Sequence, residues 1–204
     1  MKSILLVGAG GHCISCIDVI ETVGEYEIRG VVQPSVSSEK IMGYSAIGSD
    51  ADLPELLKSS NWALVTVGQI KCPDIRVRLF YLLKHLGARL PVIVSPQSYL
   101  SKHSLIGEGS IVMHRAVVNA GVKIGKNCIV NSQALLEHGV VVQDHCHIST
   151  GVLLNGNVTI GKGSFVGSGT VIKEGVSIGE NAVIGAGQVV LRDVVCGTVI
   201  KYER

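Results

Sequence analysis

Aromatic residues, long apolar runs and an excess of either charge are all lacking in this sequence. Phe, Trp and Tyr make up 4% of the residues, so aliphatic side chains in thin, regular layers must fill the core. No apolar run approaches the roughly 20 residues that a membrane-spanning helix needs. The formal net charge is +2 and no basic cluster is present, which argues against a nucleic-acid-binding surface.

A cysteine framework is lacking as well. Cys13 and Cys16 form a C-x-x-C pair, but no second pair completes a four-thiolate zinc site. We therefore expect small, buried thiols in a reducing cytoplasm and no bound metal. The opening MKSILLVGAGGH resembles a signal peptide superficially. Its apolar segment is short and soon meets His12, so it predicts a strand.

The first half of the 204 residues alternates between strand-like and helix-like segments. The pattern predicts a small Rossmann-like parallel sheet with covering helices. The predicted strands are residues 3–7, 27–32, 62–68 and 91–95, and the predicted helices are residues 14–24 and 74–86.

A glycine-rich turn, Gly8-Ala9-Gly10-Gly11-His12-Cys13, follows the first strand. It begins like a dinucleotide-binding motif but has Cys13 where the last glycine belongs. Gln33-Pro34 stands where a ribose-binding acid is expected, so NAD binding is disfavoured. The corner still offers backbone N–H groups to a phosphate. His12 could contact such a ligand, or it could be a capping or surface histidine.

The second half repeats with a period of six. Every sixth residue from Ile106 to Val190 is aliphatic, and the fifth position of each hexad is mostly small. If a third of all residues were aliphatic, chance would give this series about once in 10⁷ trials. The series is Ile106, Val112, Val118, Ile124, Val130, Leu136, Val142, Ile148, Leu154, Ile160, Val166, Ile172, Ile178, Ile184 and Val190. A short strand and a turn in each hexad predict a three-sided prism of 18-residue coils.

Three histidines crowd into residues 134–149 of this repeat, at positions that do not face inward. His138 is third in its hexad, His145 fourth and His147 sixth. His145 could be a solvated surface residue. His138 and His147 lie half a coil apart on successive sides, so two prisms side by side would bring them together. Gly156 stacks one coil beyond His138, either as an oxyanion-binding amide or as a plain turn glycine.

The chain resembles the NeuD/PglD-type sugar acyltransferases of the hexapeptide-repeat superfamily. The matching stretches are GAGGHC, GYSAIGSDADLPEL, VTVG, SPQSYLS, NSQALLEHGVVV, HCHISTGVLLNGNVTIGKGSFVGSGTVI and SIGENAVIGAGQVV. The resemblance implies a small α/β nucleotide-sugar-binding domain over residues 1–95. It also implies a left-handed parallel β-helix over residues 96–195, a short tail over residues 196–204, and a homotrimer with active sites between chains.

The resemblance also implies the roles of individual residues. His138 would be the general base that deprotonates a sugar amine or hydroxyl as it attacks acetyl-CoA, and the amide of Gly156 would bind the oxyanion. His147 would lie near the thioester, and coenzyme A would run past Gly156. Further coenzyme A contacts would be Ser168 and Ala186, and the sugar nucleotide would contact Gly10, Gly11, His12 and Gly68.

The sequence departs from the family pattern at several points. Gly139 replaces an acidic residue after the catalytic histidine, so Glu137 or Asp144 would have to orient the imidazole. Gln33-Pro34 replaces an acidic pair that helps to hold the nucleotide. The chain ends CGTVIKYER instead of the usual Gly-x-Pro-Ala-Lys tail over coenzyme A.

Two alternatives to sugar acyl transfer stay open from the sequence. His145 and His147, two residues apart, would suit a zinc lyase with ligands from adjacent chains. Gly139 and the altered tail would suit a trimeric scaffold that has lost catalysis.

Overall fold

The computed structural model describes residues 1–34 and 40–201. The N-terminal elements are β1 (Lys2–Val7), α1 (Gly11–Val23), β2 (Tyr26–Val32), β3 (Ala46–Gly48), α2 (Leu53–Ser59), β4 (Trp62–Val65) and α3 (Asp74–His85). Their four strands form one parallel sheet in the order β3-β2-β1-β4. Ile4 and Leu6 point to α1, while Leu5 and Val7 point to α2 and α3, so both faces of the sheet are covered.

Several N-terminal elements differ from the sequence prediction. Helix α1 begins at Gly11 instead of residue 14, and Ile14 is exposed while Cys13 and Cys16 pack inside. Strand β4 ends at Val65, earlier than predicted. Strand β3 and helix α2 were not predicted. Because β3 has three residues, its period-two pattern is too short to recognise.

The remaining strands are two-residue rungs. They are β5 (Ile93–Val94), β6 (Tyr99–Leu100), β7 (Leu105–Ile106), β8 (Ile111–Val112), β9 (Val117–Val118), β10 (Lys123–Ile124), β11 (Ile129–Val130), β12 (Leu135–Leu136), β13 (Val141–Val142), β14 (His147–Ile148), β15 (Leu153–Leu154), β16 (Thr159–Ile160), β17 (Phe165–Val166), β18 (Val171–Ile172), β19 (Ser177–Ile178), β20 (Val183–Ile184), β21 (Val189–Val190) and β22 (Val199–Ile200). Strand β5, predicted at residues 91–95, pairs with β8 and so extends this half of the chain.

From β5 to β21 every third rung pairs in parallel, and β20 also pairs with β22, which is the pairing expected of the predicted left-handed parallel β-helix. The covered face, which the N-terminal domain packs against, consists of β5, β8, β11, β14, β17, β20 and β22. The apolar face consists of β6, β9, β12, β15, β18 and β21, and the mixed face of β7, β10, β13, β16 and β19. Partners up to β21 are 18 residues apart, as in Leu135↔Leu153, because one coil takes three hexads, whereas β20 and β22 are 16 residues apart.

The inward positions form one aliphatic column along the prism. Every predicted first-position residue from Val112 to Val190 is buried in it, together with small fifth-position residues such as Ala134. Cys128 and Cys146 are free thiols stacked in this column, as their spacing predicts. Cys72 and Cys196 are exposed, which contradicts the expectation that all six thiols are buried.

A buried polar cluster joins the two halves of the chain. Arg76 on α3 is 1% exposed and donates to the carbonyls of Val65 and Val67 and to the backbone and side-chain oxygens of Asn127. Burial lowers the pKa of Arg76 to about 10, so it stays charged at neutral pH. The loop after β4 and a β-helix corner are therefore held by one guanidinium.

His145 belongs to this junction, and its prediction as a solvated surface residue is wrong. It is 1% exposed, its Nδ1 accepts from Asn127 Nδ2, and its ring packs against Phe80 and Tyr81. Burial lowers the pKa of His145. His145 occupies an outward turn position that α3 covers, and the repeat pattern of the sequence does not predict that contact.

Removing the guanidinium should destabilise the chain. We expect Arg76→Ala to lower the free energy of unfolding by about 3 kcal/mol, because it leaves buried carbonyls and Asn127 unpaired. Urea titration measures this loss. Arg78→Ala is the matched control, since Arg78 lies on the same helix in an exposed ion pair with Asp50, and it should cost at most about 1 kcal/mol. Equal losses for the two variants would contradict the role of Arg76.

Within residues 1–34 and 40–201, no helix has the length and apolar character required to cross a membrane.

Candidate active site

A pocket of about 470 Å³ lies where the glycine-rich turn meets the covered face of the β-helix. Its lining comes from the start of α1, the loop after β4 and two β-helix rungs. The lining residues are Gly10, Gly11, His12, Ser15, Val67, Gly68, Gln69, Ile70, Asn131 and His147. The predicted nucleotide-sugar residues therefore share one pocket with His147, which had been assigned to the coenzyme A side.

The glycine-rich turn has the backbone that a phosphate site requires. Gly8 has a φ of +118°, and a Cβ there would lie 2.4 Å from Val67 Cγ2, so a larger residue cannot stand at this position. Gly10 is the N-cap of the 13-residue helix α1 and has no side-chain cap. Added Cβ atoms on Gly10 and Gly11 would meet no atom within 4 Å. The start of the helix is therefore open to the pocket, and a helix N-terminus favours an anion.

Two neutral imidazoles stand on opposite walls of this pocket, with ring centroids 6.3 Å apart. His12 Nε2 lies 3.4 Å from Cys16 Sγ. Burial, with smaller contributions from Arg76 and His147, lowers the pKa of His12 to about 3. Burial likewise lowers the pKa of His147 to about 4. Neither ring carries a charge at neutral pH, so both act there as hydrogen-bonding groups.

Gln69 connects the two walls and was missed by the sequence analysis. Its carbonyl accepts from His147 Nδ1 at 2.6 Å, and its side-chain Nε2 donates to the carbonyl of Gly163 at 3.0 Å. The side chain is 3% exposed. The stretch VTVG pointed to Gly68, but a glutamine after it has no recognisable pattern, because its partners lie about 80 to 95 residues further along the chain.

The acid stability of the protein should report these buried histidines. The folded-state pKa values of His12 and His147 lie below the ordinary value of 6.5, so the unfolded chain binds more protons at mildly acidic pH. Stability is therefore complete above about pH 6.5 and falls as the pH drops towards 4, by up to about 1.4 kcal/mol per pH unit for each group.

Urea unfolding at about pH 7.5 and about pH 5 measures this effect. The His12→Gln, His147→Gln double variant should lose less stability between the two values than the parent chain. His103→Gln is the control, since His103 is exposed. A parent chain that is equally stable at both values would contradict the assignment.

His138 and Gly156 lie together at the corner between the apolar and mixed faces, as predicted. His138 is exposed, and a Cβ added to Gly156 would lie 2.4 Å from His138 Cε1. The imidazole therefore rests directly on the Gly156 backbone, which is possible only because residue 156 has no side chain. Within the part of the chain that the structure describes, the Gly156 N–H donates to no protein group. The exposed imidazole of His138 and the free N–H of Gly156 therefore belong to neighbouring residues of one corner.

The two candidate carboxylates do not contact this imidazole within the single chain. Glu137 Oε2 accepts from Asn119 Nδ2 at 2.9 Å, and Asp144 Oδ1 accepts from the Lys126 N–H at 2.8 Å. Asp144 lies at the corner between the mixed and covered faces, one corner away from His138. Glu137 is half-buried at the same corner as His138.

Ser168 and Ala186 stack 18 residues apart at a different corner, between the covered and apolar faces. Both are exposed, and Ser168 Oγ lies 2.9 Å from Ser149 Oγ. Asn131 begins the same corner at the edge of the pocket. The structure therefore places Ser168 and Ala186 at the corner that follows the covered face, on which His147 lies, and places His138 with Gly156 at another edge of the prism.

The zinc hypothesis depended on His145 and His147, and both are engaged otherwise. His145 faces Asn127 and α3, while His147 faces Gln69. Among the described residues, no group of three His, Cys, Asp or Glu side chains could hold a metal ion.

Three sequence families match the chain in order. The PglD N-terminal domain matches residues 3–80, the bacterial transferase hexapeptide (six repeats) matches residues 103–138, and the hexapeptide repeat of succinyl-transferase matches residues 157–192. No curated protein sequence matches the chain.

Solved structures resemble the chain over nearly its whole length. The acetyltransferase domain of PglB from Neisseria gonorrhoeae, in complex with acetyl coenzyme A, is 31% identical with a TM-score of 0.91; the match covers 97% of this chain and 95% of that one. A variant of perosamine N-acetyltransferase from Caulobacter crescentus, in complex with CoA and GDP-perosamine, is 27% identical with a TM-score of 0.92, over 98% and 93% of the two chains. WeeI from Acinetobacter baumannii, 22% identical with a TM-score of 0.82 over 98% and 96%, shares the fold. With these matches and a hexapeptide β-helix behind a PglD-type N-terminal domain, the chain belongs to the PglD-type acyltransferases of the hexapeptide-repeat superfamily.

Proposed function

We propose that this protein transfers an acetyl group from acetyl-CoA to an amino or hydroxyl group of a nucleotide-linked sugar, with His138 as general base. The observation that carries the proposal is the position of the His138 imidazole, exposed and resting on Gly156, whose N–H is free for a ligand. The solved relatives bound to CoA and GDP-perosamine support the substrate classes. Residues 1–95 would bind the nucleotide sugar, residues 96–195 the coenzyme, and residues 196–204 would form the tail, of which Tyr202–Arg204 lie outside the described residues.

The proposed reaction is a direct attack without an acyl-enzyme. His138 takes the proton as the sugar nitrogen or oxygen bonds to the thioester carbonyl carbon. The oxyanion that forms accepts a hydrogen bond from the Gly156 N–H. The carbon–sulfur bond then breaks, and coenzyme A leaves as the thiol once the sulfur takes up a proton. Because both substrates are held together, positioning contributes much of the rate.

We further propose that the active protein is a homotrimer with sites between chains. The outward positions of the apolar face form an unbroken aliphatic and aromatic ladder: Tyr99, Val117, Leu135, Leu153, Val171 and Val189. Tyr99 is 58% exposed and Val189 66% exposed in the single chain. The mixed face carries Lys123, Thr159 and Ser177 at the equivalent outward positions. A continuous apolar ladder of this size indicates a protein interface.

A trimer would bring together predicted site residues that lie apart in the single chain. Ser168, Ala186 and His147 would form the coenzyme wall in one subunit, and His138 with Gly156 would face them from the next. The glycine-rich turn opens into the same pocket as His147, so Gly10, Gly11, His12 and Gly68 would hold the sugar nucleotide close to the thioester.

Glu137 is our candidate for orienting His138 in the assembled site. It precedes the base at the same corner, and its hydrogen bond within the described residues is to the Asn119 side chain. Redirecting that side chain would place a carboxylate beside the imidazole, which favours the charged form of a base after proton transfer.

A substrate screen tests the proposed function. Purified protein is incubated with acetyl-CoA and a panel of UDP-, dTDP- and GDP-linked 4-amino sugars, and release of free thiol is followed. Turnover of at least one sugar is the expected result. Absence of thiol release with every sugar, together with no binding of acetyl-CoA by calorimetry, would favour a scaffold without catalysis.

A further inference from the structure

The hydrogen bonds around His147 determine which of its nitrogens carries the proton. The carbonyl of Gln69 can only accept, and it lies 2.6 Å from His147 Nδ1. Nδ1 must therefore be protonated in the neutral ring, and Nε2 must hold the lone pair. The low pKa of this histidine excludes the doubly protonated ring at neutral pH.

Asn131 requires the same tautomer independently. Its Oδ1 accepts from the Ser132 N–H at 2.8 Å, which fixes the orientation of the amide. Its Nδ2, which can only donate, then faces His147 Nε2 at 3.5 Å. A donor pointing at Nε2 is compatible with a bare nitrogen and incompatible with an N–H there.

The carbonyl that fixes the tautomer is itself held rigidly. Gln69 is anchored by its side chain to Gly163, and Arg76 donates to the carbonyl of Val67 at 2.6 Å in the same loop. The ring also packs edge-on against Phe165, with centroids 5.2 Å apart. Rotation of the imidazole would break the short bond to Gln69 and expose a buried carbonyl without a partner.

We propose that His147 acts as a neutral hydrogen-bond acceptor, whose Nε2 takes an N–H donor of a bound substrate in place of the long contact to Asn131. The inference rests on the proposed function and deepens it. Two substrates carry such donors near the reacting atoms, namely the pantetheine amides of coenzyme A and the amine of the sugar. A ring with a bare Nε2 cannot donate to the thioester carbonyl, so the Gly156 N–H is left to bind the oxyanion.

Nuclear magnetic resonance of protein labelled with ¹⁵N-histidine tests the tautomer without any ligand. The His147 signals, assigned from their loss in His147→Asn, should show a protonated Nδ1 and an unprotonated Nε2. Exposed His103 provides the reference for rapid exchange between tautomers. A protonated Nε2, or averaged signals like those of His103, would overturn the proposal.

Two substitutions of His147 then distinguish the contribution of Nδ1 to binding from that of Nε2. Asn places its amide near the position of Nδ1 and can keep the bond to Gln69, whereas Gln reaches the position of Nε2 and can present an oxygen acceptor there. We expect His147→Asn to weaken binding by about tenfold and His147→Gln to stay within about threefold of the parent chain. Calorimetry with coenzyme A and the KM for the acceptor sugar are measured for both variants.

The two measurements identify the donor. A difference confined to coenzyme A affinity assigns the acceptor to a pantetheine amide, and a difference confined to the KM of the sugar assigns it to the sugar amine. Equal values for the two variants in both measurements would overturn the role of Nε2. A parent chain that shows the Nδ1–H tautomer but transfers no acetyl group would refute the proposed function alone.

Discussion

The His138→Ala variant is expected to lose about 10³-fold in kcat while its assembly and its affinity for coenzyme A stay unchanged. The side chain is exposed and packs on a glycine, so its removal opens no cavity in the aliphatic column. The loss should therefore appear in turnover and not in the free energy of unfolding. Thiol release with the sugar found in the substrate screen measures it.

His103→Ala is the matched control for this variant. His103 is an exposed histidine near the same corner of the prism, about two coils before His138, and its side chain has no contact with Gly156. Its removal should leave kcat within about twofold of the parent chain. A His138→Ala variant with undiminished turnover would refute the direct-attack mechanism with His138 as its general base.

Leu153→Glu is expected to dissociate the proposed trimer and to abolish turnover at the same time. Leu153 stands in the middle of the outward ladder, between Leu135 and Val171. In the trimer the new carboxylate would be buried without a partner in each subunit, at a cost of several kcal/mol per copy. Sedimentation velocity measures the assembly, and thiol release measures the activity.

Lys123→Glu is the control for this substitution. Lys123 holds the equivalent outward position on the mixed face and is exposed. The variant introduces a carboxylate on a rung of the same length, and we expect it to remain trimeric and active. A Leu153→Glu protein that sediments as a trimer would show that the apolar face is not the interface, and a fully active monomer would show that sites do not require two chains.

The repeat half of the fold could be predicted closely because each hexad obeys the same local rule. Each hexad forms one side of the prism from a small residue, an aliphatic residue two positions later and a turn. Stacking of successive coils then buries the inward side chains. The exposure of His138 and its contact with Gly156 follow from the same 18-residue period. Within the α/β half, the predicted end of β4 was wrong by three residues. A strand of four residues is too short for its alternation of side chains to define where it ends.

The parts that could not be predicted are those where the two halves touch. His145 occupies an outward turn position, which in an isolated prism would be solvated, yet α3 covers it. Gln69 and Arg76 look like ordinary loop and helix residues in the sequence. Their roles depend on partners at Gly163 and Asn127, so no local pattern could reveal them.

The sequence by itself determined the three-sided coil, the outward position of His138 and the glycine-rich turn at the start of α1, because each depends on a short, repeated or strongly local backbone rule. Only the tertiary structure decided that His147 shares a pocket with that turn and that Gln69 fixes its protonated nitrogen. Hydrogen bonds between segments about 80 residues apart require the packed domains to bring their partners together, and the covered face of the β-helix provides that contact.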